Sequence, residues 1–235
     1  MTKRIGFACK WINDPSEVNG MKINAQDREL NTGSTTVAWL KRQTADVAEQ
    51  RLWDLMVRNI ESVRKLVERV GTLDDELRMV RIGSDVLPVY TERNYSWFWR
   101  QSHVVAYAQQ HFAEVGRIAR DRNVRLSFHP VQFTVLASDN PDIVDRSIEE
   151  FEYHVDMARW MGYGKTFQDF KINVHIAGRQ GPDGIRSALA RMSPEARNCL
   201  TIENDEMTWG IEHSLELVKD CGISWSETLN QFANL

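Results

Sequence analysis

The chain has 235 residues, 42% of them hydrophobic, so it is long enough to bury a substantial core, and we expect a single domain over 1–235. The net charge is −4, which excludes the global basic field that draws many proteins to nucleic acid, so any such site must be local. No stretch approaches 18 apolar residues, and the N-terminus lacks a signal-peptide core. We therefore expect a cytoplasmic protein that is neither secreted nor bound to a membrane.

The predicted elements alternate between strands and helices. A short strand at 5–8 precedes residues 13–38, whose Asn, Thr, Ser and Gly predict an ordered surface loop. Apolar residues at three- and four-residue steps then predict a long helix from Thr44 to Val70. The later strands are predicted at 77–83, 124–129, 170–176 and 199–203, and the later helices at 103–122, 141–161, 183–192 and 211–220. This order is typical of βα units around a parallel sheet.

The side-chain pattern favours a TIM-type (β/α) barrel, the α/β fold that we predict. Apolar and polar residues alternate in the strands at 124–129 and 170–176, which predicts one face toward helices and one toward a polar lumen. About five βα units are present, whereas a closed barrel has eight strands, so we expect the barrel to be incomplete. An open doubly wound sheet and an antiparallel sheet with one wet face are the alternatives.

Three predicted strands finish with a residue that can bind a metal: His129, His175 and Glu203. The carboxyl ends of parallel strands converge on the functional mouth of a barrel, and imidazole with carboxylate suits Mn, Zn or Fe. The alternative for each histidine is a hydrogen-bonded core residue. Just beyond His129, Phe133 either packs under its loop or stacks against a base in a distorted duplex. The three cysteines, Cys9, Cys199 and Cys221, are expected to be buried thiols.

The segment LSFHPVQFTVLASDNPDIVDRSIEEFEYHVDMARWMG resembles the UV damage endonuclease family, which carries a strand-His-Pro-x-Gln-aromatic motif before this helix. MVRIGSDVLPVY, NVHIAG and LTIENDEMTW are similar to further segments of that family, so the resemblance covers roughly residues 4 to 222. It implies a TIM barrel related to endonuclease IV, with a cluster of divalent metals. Manganese is the metal that it favours, with zinc or magnesium as alternatives.

The resemblance also implies a reaction, which is incision of damaged double-stranded DNA immediately 5′ to a UV photoproduct, either a cyclobutane dimer or a 6-4 product. His129, His175 and Glu203 match the family's metal-binding, catalytic positions. Gln132 and Phe133 match its lesion-probing pair.

Asp85 lies where some members of the family have histidine, and Phe7 lies where the family commonly has a tyrosine next to the DNA. Both residues are expected to be DNA contacts. A DNA repair role would place the protein in the cytoplasm, or with a phage or bacterial nucleoid.

The family pattern continues after the residue that matches Ile223 with further strands that carry Asp, His and Glu ligands, whereas this chain reads SWSETLNQFANL. We therefore expect a chain without the C-terminal strands, and a second chain that supplies them is one partner to consider. A chain without these ligands is expected either to cleave DNA with a partial metal site or to have lost cleavage. An inactive remnant that only binds DNA is one alternative, and a sugar isomerase or epimerase on a related metal barrel is another.

Overall fold

A computed structural model describes residues 4–12, 25–131, 133–204 and 208–225. Its strands form a six-stranded sheet in the order of the sequence, and the pairs β1–β2, β4–β5 and β5–β6 are parallel. The strands are β1 (Phe7–Ala8), β2 (Met79–Ile82), β3 (Arg125–Phe128), β4 (Lys171–His175), β5 (Leu200–Glu203) and β6 (Ser224–Trp225). Within the described ranges the sheet is not closed, as expected for an incomplete barrel. The α/β prediction is confirmed.

The helices connect these strands, as the periodicity predicts. They are α1 (Ala25–Arg28), α2 (Val37–Leu40), α3 (Ala45–Val70), α4 (Ser96–Trp99), α5 (Ser102–Asp121), α6 (Pro141–Trp160), α7 (Gly181–Arg191), α8 (Pro194–Cys199) and α9 (Ile211–Cys221), with a 3-10 turn at Asp75–Leu77. The five long helices lie within two residues of their predicted bounds. In the described part of the chain, every helix is too short or too polar to span a lipid bilayer.

Three expectations need correction. The segment 13–38, predicted as loop, contains α1 and the first two residues of α2, while residues 13–24 lie outside the described ranges. Five strands are predicted, whereas the structure has a sixth, the short strand β6 in the C-terminal segment. Residues 226–235 lie outside the described ranges. Of the three cysteines only Cys199 is buried, since Cys9 is exposed and Cys221 is half-buried.

The chain divides into two compact units. The single domain over 1–235 stays a prediction. The first unit comprises Met1–Ser127 with Trp160–Gly162. Its core forms where α3 packs on α5, through a stripe of buried residues that the helical periodicity places on one face of α3. Asn59 on that face is fully buried, and its amide binds the backbone of Gly33, Asp85 and Val86.

The second unit comprises Phe128–Arg159 with Tyr163–Leu235. Its core includes Phe128, Phe151 and Phe170, all at most 2% exposed. The pairing of β4 with β5 sets Asn173 opposite Thr201 and His175 opposite Glu203. This register brings the last residues of both strands to the same edge of the sheet.

Candidate metal centre

His129, His175 and Glu203 all lie at strand ends in the second unit. His129 is the first residue after β3, His175 is the last residue of β4, and Glu203 is the last residue of β5. Apolar residues earlier in these strands bury one face of the sheet, and the two-residue period turns the polar ends toward the other face. The local sequence thereby directs three ligand-type side chains to one place.

The ligand atoms of these three residues lie within 4.8 Å of one another. Nε2 of His129 is 3.3 Å from Oε2 of Glu203, and Nε2 of His175 is 3.7 Å from the same oxygen. Atoms that bind one ion at about 2.1 Å are roughly 3 to 3.5 Å apart when they are adjacent in the coordination shell. The cluster is therefore of a size that fits a single divalent cation.

The ring orientation of the histidines also fits a metal. Nδ1 of His129 is 2.9 Å from the carbonyl oxygen of Pro130, and Nδ1 of His175 is 3.5 Å from that of Asn204. A carbonyl oxygen accepts a hydrogen bond, so we assign the proton to Nδ1 in each ring. That tautomer leaves a lone pair on Nε2, the atom that faces Glu203, and a backbone carbonyl on the second nitrogen is the usual support of a ligating histidine.

Glu203 is the acidic residue of the cluster and is fully buried. The Asn173 amide donates a hydrogen bond from Nδ2 to Oε1 of this carboxylate, while Oε2 faces the two imidazoles. A carboxylate held away from water needs a compensating positive charge, which a divalent cation among these ligands would supply. The side chains of His129 and His175 are 17% and 34% exposed, so the cluster is open to a ligand from solvent.

Asn173 is the site residue that the sequence reasoning missed. It appears in the strand pattern only as a polar residue two positions before His175. The available signal is the two-residue period, which puts Asn173 on the face of the sheet that carries His175 and, through the register, next to Glu203.

The cluster of ligand-type side chains in the described part of the chain consists of His129, His175 and Glu203, and each other predicted site residue has its own surroundings. Phe133 is 86% exposed in the loop after β3, while Gln132 lies outside the described residues. In the first unit, Phe7 is half-buried in β1 and its ring meets that of Trp11 edge to face. Asp85 follows β2 by three residues and accepts a hydrogen bond from the Thr32 hydroxyl at 2.8 Å. The structure leaves the roles of these residues as predictions.

An open parallel sheet whose strand ends carry a His-His-Glu cluster defines an α/β protein of the barrel type with a candidate metal centre. The chain belongs to the UV-endonuclease UvdE family, whose sequence model matches residues 4–225.

Two of the relatives that this chain is similar to are described as UV damage endonucleases. A UV-damage endonuclease of Schizosaccharomyces pombe is 25% identical over 226 residues, which are 94% of this chain and 34% of that protein. A UV DNA damage endonuclease of Bacillus velezensis is 30% identical over 152 residues, which are 62% of this chain and 44% of the relative. The chain thus spans between about a third and about half of the length of these relatives.

The fold has a counterpart among solved structures. The protein described as "Crystal Structure of SacUVDE" superposes with a TM-score of 0.74 at 18% sequence identity, over 96% of this chain and 68% of the other. At that identity the similarity establishes the fold. It agrees with the barrel-type architecture predicted from the strand pattern.

Proposed function

We propose that this chain is a metal-dependent endonuclease of DNA repair that nicks damaged double-stranded DNA immediately 5′ to UV photoproducts. The observation that carries the proposal is the convergence of His129, His175 and Glu203 within 4.8 Å at the carboxyl ends of consecutive strands. Membership of the UvdE family supports it from the sequence side. Cyclobutane dimers and 6-4 products are the lesions proposed.

In this proposal the three clustered residues hold a divalent cation, with manganese as the first choice and zinc or magnesium as alternatives. His129 and His175 would offer Nε2, and Glu203 would offer Oε2. When bound, the cation would supply a nucleophile at neutral pH and stabilise negative charge on the phosphate oxygens. The backbone carbonyls beside Nδ1 of the two histidines would keep both rings in the required tautomer.

Phe133 and Gln132 are proposed to probe the lesion. An aromatic ring that is 86% exposed gains little for folding, whereas stacking on an unpaired or distorted base would remove it from water. Its position four residues after His129 puts this contact on the loop that follows the first ligand. Phe7 and Asp85 stay proposed DNA contacts on the family resemblance alone.

A second chain that completes the barrel also stays a proposal. β6 is an edge strand in the described part of the sheet, and an edge strand offers unpaired backbone groups to a further strand. Analytical ultracentrifugation of the chain with candidate polypeptides would detect such an assembly. A chain that stays a monomer with every candidate would contradict it.

The test of the function is nicking of UV-irradiated supercoiled plasmid by the purified chain with Mn²⁺. We expect conversion to open circles that requires both irradiation and metal and that is lost in His129→Ala. A Phe167→Ala variant is the control, because Phe167 is an exposed aromatic residue that lies before β4, away from the carboxyl ends of the strands. Primer extension on a defined photoproduct then locates the nick. Binding without cleavage would instead favour the inactive remnant, and turnover of a sugar would favour the isomerase.

A further inference from the structure

We infer that Asn173 is a positioning residue of the metal centre, which holds one oxygen of Glu203 so that the other alone is presented to the cation. The inference rests on the proposed function, because it assumes a metal at the cluster. Asn173 is not one of the three clustered ligands, so metal binding alone does not require an asparagine at this position of β4. The structure gives Asn173 a specific contact instead.

The register of β4 and β5 places Asn173 beside Glu203. His175 and Glu203 are register partners, and Asn173 lies two residues before His175, on the same face of the sheet. Asn173 therefore lies two residues before the cluster along β4, on the same face of the sheet. From there its Nδ2 donates to Oε1 of Glu203.

The two oxygens of Glu203 consequently have different surroundings. Oε1 accepts the amide hydrogen bond from Asn173, while Oε2 is 3.3 Å from Nε2 of His129 and 3.7 Å from Nε2 of His175. The hydrogen bond restricts rotation of the carboxylate. The cation would then meet one oxygen rather than two, which corresponds to monodentate ligation and leaves more of its coordination shell for water or a phosphate oxygen.

Folding alone does not account for an amide at this position. Asn173 is 7% exposed, and its Oδ1 is buried with no hydrogen-bond partner among the described residues. A buried polar atom without a partner destabilises the folded chain, whereas an apolar side chain at the same place would avoid that penalty. The contact of Nδ2 with Glu203 is the feature that an apolar residue would lose.

The test compares Mn²⁺ affinity in the whole chain with Asn173→Leu, which keeps a similar shape and removes the donor. Electron paramagnetic resonance of free Mn²⁺ gives the dissociation constant. The matched control is Thr201→Val. Thr201 is the register partner of Asn173, is fully buried, and donates its hydroxyl to Gln168 Oε1 at 3.0 Å rather than to Glu203. Asn173→Thr, which restores a hydroxyl donor, is the conservative rescue.

We expect Asn173→Leu to bind Mn²⁺ about 10- to 100-fold more weakly than wild type, the usual effect of removing a partner of a metal ligand. Asn173→Thr should recover part of the loss, and Thr201→Val should keep the wild-type affinity even if its unfolding temperature falls. Wild-type affinity in Asn173→Leu would overturn the inference and leave the proposed metal site intact. A wild-type chain that binds no Mn²⁺ would instead overturn the proposed function, and the inference with it.

Infrared difference spectra with and without Mn²⁺ give a readout that does not depend on affinity. Glu203→Gln identifies the bands of this carboxylate. The separation of its two stretching bands should indicate monodentate ligation in wild type and should narrow toward bidentate ligation in Asn173→Leu. Identical bands in both proteins would contradict the positioning role.

Discussion

Acid should destabilise the second unit through His154, a buried histidine on α6. Its side chain is fully buried, Nδ1 donates to the carbonyl oxygen of Glu150 at 2.8 Å, and Nε2 has no hydrogen-bond partner within the described part of the chain. The ring packs edge to face on Phe128 and Tyr153. This burial lowers the pKa of His154 from 6.5 to about 4, because the charged imidazolium would lose its hydration.

The direction of the pH effect follows from this lowered pKa. Between pH 6.5 and pH 4 the unfolded chain binds the proton and the folded chain does not, so the free energy of unfolding falls as the pH falls. Each pH unit in this window contributes up to about 1.4 kcal/mol, so the whole window is worth about 3 kcal/mol. Going from about pH 7 to about pH 5 should therefore remove about 2 kcal/mol through this residue.

Urea unfolding at these two pH values, in wild type and in His154→Phe, measures the effect. The variant keeps a flat ring and loses the titrating group, so its free energy of unfolding should fall by about 2 kcal/mol less than that of wild type. Phe151→Leu on the same helix is the control, because Phe151 is fully buried and does not titrate, so its loss should be equal at both pH values. Equal pH dependence in wild type and His154→Phe would refute the reasoning.

Three further predictions concern packing and DNA contact. Asn59→Leu should lower the free energy of unfolding by about 3 kcal/mol in urea unfolding, because the buried amide bridges several backbone groups. Gly116→Ala should lower it by at least about 1 to 3 kcal/mol, since a Cβ would lie 1.9 Å from the carbonyl oxygen of Met161; an unchanged urea midpoint would contradict this close approach. Phe133→Ala should leave the melting temperature unchanged and weaken binding to UV-damaged duplex by about 1 to 3 kcal/mol in fluorescence anisotropy, while the exposed Phe167→Ala should not weaken it.

The long elements and the cluster could be predicted because each rests on a strong local pattern. The periodic apolar residues of α3 decide its bounds within one residue. His175 and Glu203 could be predicted to meet because each is the last residue of a strand, and consecutive parallel strands end at one edge of the sheet.

The remainder depends on features that a single sequence does not encode locally. The contact between Asn173 and Glu203 requires the register of β4 on β5, which long-range pairing sets. β6 spans two residues, too few for a period to emerge. Cys9 was expected to be buried because of its residue type, yet it lies exposed with a positive φ of 66° just after β1.

The most direct test of the account is the location of manganese in crystals of this chain. Anomalous diffraction at the manganese absorption edge should show a peak about 2.0 to 2.3 Å from Nε2 of His129, Nε2 of His175 and Oε2 of Glu203. The peak should vanish in Glu203→Gln. Fully bound manganese at another place in the chain, with these three side chains free of metal, would contradict the account.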